Sequence, residues 1–264
     1  MKLLGQVRKM NVESGTPIEY FLSLDKETHH LNSHIGDKLK IKWNGLITCI
    51  ECGRKTKKSY DQGYCFVCSR DLPENEMCSV RPELCEHKNG NEAAKEFWRT
   101  RCNIDHFVYL SLTSGVKVGV TRYYNIPDRW IDQGAVKGLV IAKVPERILS
   151  GQIEVAVSHK FADKTNWRKM LKGKSEDLDL SELRKKAHEL FPENLKPYAL
   201  ESEGIQEIIY PIESVPDKIN SHNLDKVPEF KERLTGIKGQ YLIFETRVIN
   251  IRKYSGYHID FELG

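Results

Sequence analysis

"FVYLSLTSGVKVGVTR", residues 107–122, holds two short apolar runs separated by Thr113-Ser114-Gly115. The runs are rich in β-branched and aromatic residues and free of proline, the pattern of two strands joined by a turn. A third apolar run follows, "GLVIAKV" (138–144), and then "ERILSGQIEVAVSHKFA" (146–162), which reads as mostly helical in spite of Gly151. Strands alternating with helices over this stretch predict a small α/β unit.

Upstream lies a segment of a different kind. All seven cysteines fall between Cys49 and Cys102. Clustered cysteines, odd in number, fit metal ligation better than a disulfide framework. Cys49-x2-Cys52-x12-Cys65-x2-Cys68 presents two matched pairs of thiolates, the spacing of a ribbon-type structural zinc site. Gly53 and Gly63 stand where the chain must turn beside the pairs. A redox motif would carry one C-x-x-C, not two. Cys78, Cys85, Cys102 and His106 could supply a second zinc, because Cys102-x3-His106 places two ligands on one face of a helix. His87 competes with His106 for the fourth position. One zinc is expected and a second is possible; free buried thiols are the alternative for the second set.

Strands are expected at both ends. In "DKLKIKW" (37–43), Leu39, Ile41 and Trp43 alternate with lysines, and Asn44-Gly45 is a strong hairpin signal. "GQYLIFETRVINIRKY" (239–254) suggests two strands turning near Thr246, and "YHIDFEL" (257–263) alternates again. "NEAAKEFWRTRC" (91–102) and "DLSELRKKAHELF" (179–191) read as helices, the second with a capping pattern at Asp179 and Glu182. "KGKSEDLDLSEL" (172–183) reads as a linker. The expected class is α+β in four parts: an N-terminal β segment (1–48), a cysteine-rich zinc-binding segment (49–106), the α/β unit (107–174), and a linker helix with a β-rich segment (175–264). The two β ends are expected to pack together.

With 39% hydrophobic and 30% charged residues the chain reads as globular. No apolar run approaches membrane-spanning length and no signal-peptide pattern opens the chain, which points to the cytoplasm and away from membranes. The net charge of +4 is unevenly spread: residues 107–174 carry +7 and residues 175–264 carry −5. A concentrated basic segment is the footprint expected for phosphate-rich partners.

"HFVYLSLTSGVKVGVTRYYNIPDRWIDQGA" (106–135) resembles the short form of the GIY-YIG nuclease fold. Val108-Tyr109 stand at the family's "IY", Lys117 to Thr121 at its "YIG" strand, Arg129 at its helix arginine and Glu154 at its metal-binding glutamate. The likeness covers about 65 residues. Phe107 replaces the first glycine and Lys117 the second tyrosine. The order of elements along most of the chain also resembles a family of bacterial and archaeal proteins described only as a domain of unknown function. The nuclease likeness implies phosphodiester cleavage with Mg²⁺ or Mn²⁺ held by Glu154, Tyr109 as base or nucleophile, and Arg129 as phosphate clamp, with support from Lys117 and Arg122.

Trp130, Gln133, Lys164, Asn166, Trp167, Arg168 and Lys169 mix aromatic, amide and basic groups in the manner of sites for unpaired bases, while each tryptophan taken alone reads first as a core residue. The leading expectation is a zinc-stabilised nucleic-acid-binding protein, with RNA favoured over DNA on that composition. The alternatives are an active Mg²⁺- or Mn²⁺-dependent endonuclease, and a protein–protein adaptor with structural zinc.

Overall fold

The computed structural model describes residues 1–161, 165–173 and 178–264. The chain forms two compact units, Met1–Asp71 with Ile209–Gly264, and Leu72–Ile208. The boundary falls inside the cysteine-rich segment. Cys49 to Cys68 therefore belong to the first unit, and Cys78, Cys85 and Cys102 to the second.

The chain opens with strands β1 (Lys2–Gln6), β2 (Asn11–Glu13), β3 (Glu19–Leu24), β4 (Glu27–His30) and β5 (Lys38–Ile47), then helix α1 (Phe66–Asp71). The second unit holds α2 (Glu92–Phe97), β6 (His106–Leu112), β7 (Val116–Arg122), α3 (Asp128–Asp132), β8 (Lys137–Val144), α4 (Arg147–Ser158), α5 (Trp167–Leu171), α6 (Leu180–His188) and β9 (Gln206–Glu207). Back in the first unit come β10 (Glu229–Lys238), β11 (Tyr241–Phe244), β12 (Val248–Asn250) and β13 (Tyr257–Glu262).

A six-stranded sheet, ordered β1-β13-β5-β10-β11-β12, forms the first unit together with a three-stranded sheet β2-β3-β4. The alternation in β5 works as written: Leu39 and Ile41 are fully buried, while Lys40 reaches Glu229 at 3.0 Å across the strand pair. Asn44-Gly45 does not make a hairpin. Both edges of β5 are occupied, by β10 and β13, so the strand runs on to Ile47. The irregularity is absorbed locally: Gly45 takes φ +87°, and the Leu46 N–H donates to the Asn44 side chain. Strands β11 and β12 turn at 245–247, around Thr246, and β13 buries Ile259 and Phe261 on one face. The two chain ends meet, since β1 pairs with β13.

The sheet of the second unit is ordered β7-β6-β8-β9 and is antiparallel throughout. One face carries Val108, Leu110, Val118, Leu139 and Ile141, and packs against Ile153 and Val157 of α4 and Leu180 and Ala187 of α6. Each large aliphatic side chain so buried contributes about 1.5–3 kcal/mol. Asp179 caps α6 by accepting from the Ser181 N–H. Of the linker expected at 172–183, residues 174–177 lie outside the described residues.

The other face is shaped by glycines. Gly119 sits opposite Tyr109, and a Cβ there would lie 2.5 Å from the tyrosine oxygen. Gly138 lies under the Trp130 ring, with 2.3 Å between an added Cβ and the indole. A Gly138→Ala variant is expected to lose about 2–3 kcal/mol of stability, because the buried ring has no room to retreat. Denaturant unfolding of the two proteins checks this.

Candidate functional site

The first cysteine cluster hangs from the end of β5. Cys49 and Cys52 flank one turn, and Cys65 and Cys68 lead into α1. All four sulfurs lie within 4.8 Å of one another. A tetrahedral zinc with Zn–S of about 2.3 Å separates its sulfurs by about 3.8 Å, and Cys52 Sγ and Cys65 Sγ are 3.8 Å apart. The Cys68 N–H points at Cys65 Sγ at 3.5 Å. Burial opposes ionisation of Cys49, but the backbone N–H groups around it outweigh this and bring its thiol down to about 6. A thiolate is the form a metal takes.

The second cluster is built from three short turns and the end of a helix. Cys78, Cys85 and His87 present ligand atoms within 4.8 Å of one another. His87 Nδ1 lies 3.5 Å from Cys78 Sγ, 3.6 Å from Cys85 Sγ and 3.5 Å from Cys102 Sγ. A tetrahedral zinc with usual bond lengths would set these S···N distances at about 3.6 Å. His87 Nε2 is 3.1 Å from the Pro73 carbonyl and 3.0 Å from Glu76 Oε2. Two acceptors at Nε2 fix the proton there, which leaves the Nδ1 lone pair aimed at the sulfurs.

His106 is not part of this group. The helical turn ends at Cys102, and His106 begins β6, so the two residues do not share a helix face. The His106 ring is fully buried, with Nδ1 donating to the Ile104 carbonyl at 2.8 Å. Burial, aided by Arg147 and Arg122, pulls its pKa down to about 4. Of the two histidines weighed for the fourth position, it is His87 that faces the three sulfurs.

This cluster is tied to α4. Arg147 donates to the Cys78 carbonyl through Nη2 at 2.7 Å and Nε at 3.1 Å. Gly151 lets the helix touch the Pro82-Glu83 turn, where a Cβ would come within 2.2 Å of the Glu83 nitrogen. That helix carries Glu154.

Tyr109, Arg129 and Glu154 come from β6, α3 and α4, and the charges of Arg129 and Glu154 act on the Tyr109 hydroxyl. The Tyr109 hydroxyl donates to Gln133 Oε1 at 3.2 Å. Burial pushes its pKa up, Arg129 and Gln133 offset part of the rise, and Glu154 adds to it. Glu154 is itself pushed up to about 7: burial dominates, Lys117, Arg129 and Arg147 oppose it, and Glu83 reinforces it. Lys117 belongs to the same neighbourhood; Arg122, at the far end of β7, stacks over Phe97 instead.

The remaining binding candidates divide. Trp130 is 1% exposed and packs edge-on to Tyr109, so it is a core residue with no face open to a base. Asn166 caps α5, accepting from the Arg168 and Lys169 N–H groups, and its own N–H donates to Ser114 in the β6–β7 turn. Trp167 is half-buried under the Arg168 guanidinium, 4.3 Å from the ring centre. Lys169 is exposed beside them, and Lys164 lies outside the described residues. Among the described residues no helix is long and apolar enough to cross a membrane.

No curated protein and no solved structure matches the chain. A family model described as a protein of unknown function, DUF2797, matches residues 36–259, a span that takes in both cysteine clusters and the Tyr109–Arg129–Glu154 neighbourhood. The chain belongs to the DUF2797 family.

Proposed function

We propose that this protein is a zinc-stabilised nucleic-acid-binding protein whose second unit carries a phosphate pocket formed by Tyr109, Lys117, Arg129 and Glu154. The observation that carries the reading is the meeting of two cations, a tyrosine and a partly neutralised carboxylate from four different elements. Arg129 supplies a planar fork suited to phosphate oxygens, and Lys117 a second positive charge. The ligand distances of both clusters support zinc as the metal, closed and structural in each case. The resemblance to the GIY-YIG fold supports the same pocket: a hairpin, then a helix bearing the arginine, then a strand beside the first, then a helix bearing the glutamate.

A second reading, phosphodiester cleavage, is favoured by Glu154, a hard oxygen ligand beside Arg129. A bound Mg²⁺ or Mn²⁺ would neutralise charge on the phosphate and the leaving oxygen. Glu154 is the residue to hold it. Binding ranks first because the Tyr109 hydroxyl is buried and already donates to Gln133, not poised as a free nucleophile.

Titration of single- and double-stranded RNA and DNA at several salt concentrations tests both. Binding that weakens as salt rises, and that falls about tenfold or more in Arg129→Ala, supports the pocket. Mg²⁺-dependent cutting that disappears in Glu154→Gln moves the assignment to the endonuclease. No binding of any nucleic acid removes both and leaves the adaptor.

A further inference from the structure

Trp130 lies in the core, yet the second unit does expose aromatic rings, at positions with no assigned role. Tyr123 and Tyr124 are 49% and 46% exposed and follow directly on β7. Their rings meet edge to face, with 5.2 Å between centres. Exposed neighbouring tyrosines have a cost in water that a stacking partner removes.

Their surroundings are basic. Arg101 donates to the Tyr124 hydroxyl at 2.8 Å and holds that ring in place. Arg122 donates to the Arg101 carbonyl at 3.2 Å and lies over Phe97. Burial lowers the pKa of Arg122, Tyr124 opposes this, and the like charges of Arg147 and Arg101 reinforce it. Nearby, Lys143 is neutralised by Asp105 at 2.8 Å and Arg99 by Glu96 at 3.0 Å. Among the described residues neither Arg101 nor Arg122 has a carboxylate partner. Two half-exposed aromatic rings beside two guanidinium groups lacking counter-ions call for a partner that is both flat and anionic.

We infer that Tyr123 and Tyr124, with Arg101 and Arg122, form a stacking platform for the unpaired bases of a single-stranded nucleic acid. This rests on the phosphate-pocket reading and specifies its ligand. Strand β7 links the two places: Lys117 stands at one end and Arg122 at the other, five residues or about 17 Å apart. β7 is an edge strand of its sheet, and its residues are buried or half-buried. The phosphates of the nucleic acid pair with Arg101 and Arg122 while bases stack on the tyrosines. Because every base has a π face, the platform tolerates sequence.

The test uses the full chain with an unstructured 12-nucleotide RNA and the matching duplex, read by fluorescence anisotropy. Inorganic pyrophosphate, read by calorimetry, reports on the pocket without bases. Both tyrosines are exposed, so Tyr123→Ala and Tyr124→Ala leave folding intact. Each is expected to weaken single-strand binding about tenfold, with little effect on duplex or pyrophosphate. Tyr124→Phe keeps the ring and is expected to retain most of the affinity. Single-strand affinity unchanged in the double alanine variant overturns the platform, as does equal loss for single strand and duplex. Pyrophosphate bound through Arg129 with no single-strand binding also overturns the platform, while leaving the pocket standing. A chain that binds neither pyrophosphate nor nucleic acid removes the pocket itself.

Discussion

Changing His87 to asparagine is expected to lower the metal content of the purified protein from two zinc ions per chain to one. The same change in His106 is expected to leave it at two. The difference follows from geometry: His87 Nδ1 stands 3.5–3.6 Å from three sulfurs, whereas His106 is engaged with the Ile104 carbonyl. Structural zinc contributes on the order of 10 kcal/mol to the folding of small domains, and this cluster holds a stretch built of short turns. Loss of the second metal is therefore expected to destabilise the second unit by several kcal/mol. The effect should extend to α4, because Arg147 and Gly151 fasten that helix to the cluster's turns. Metal analysis with thermal unfolding checks both statements. Equal metal content in the two variants would refute the assignment of His87.

The second large effect concerns Glu154. Its carboxyl is raised to about 7 in the folded chain, against 4.5 for the free side chain. A raised carboxyl pKa means that the folded state binds the proton more tightly than the unfolded state. Its stability contribution is present below pH 4.5, declines as pH rises, and is gone above pH 7. Glu154→Gln removes this dependence. The variant is expected to match the wild type near pH 4 and to exceed it at pH 8.5 by up to about 3 kcal/mol. A constant difference across that range would show that Glu154 is ordinary surface carboxylate. On the endonuclease reading the same titration would govern cation binding, since Mg²⁺ requires the ionised form. That reading then requires Mg²⁺ affinity to rise with pH through 7.

The sequence displays the first cluster openly because its ligands come in two local pairs, each spaced by one turn. The second cluster is scattered over 25 positions, Cys78 to Cys102, and its histidine sits on a tight turn that no periodicity marks. A helical spacing argument for Cys102 and His106 failed because the helix stopped at the first of them. The strand pattern of β5, β6, β7 and β13 was legible from alternation and β-branching. The Asn44-Gly45 signal misled because local turn chemistry lost to the two neighbours that pair with β5. Trp130 misled in another way: polar neighbours in sequence gave it the look of a binding residue. The core was the other reading of this tryptophan, and its burial against Tyr109 and Gly138 decides for it. Tyr109, Arg129 and Glu154 were singled out through family resemblance alone, with no local pattern joining them. The contributions of Arg147, Glu83 and Arg101 depend on long-range packing and had no local sign.

The discontinuity of the first unit has a bearing on synthesis. Its central strand, β5, lies between β13 and β10, which are made some two hundred residues later. The second unit is one unbroken stretch, Leu72–Ile208, and can close while the ribosome is still extending the chain. Until β10 and β13 arrive, β5 offers two open edges with Leu39 and Ile41 uncovered, the kind of strand that pairs with a wrong partner. The lysines at 38, 40 and 42 place a like charge on every second residue of that waiting edge, which sets two copies of it against each other.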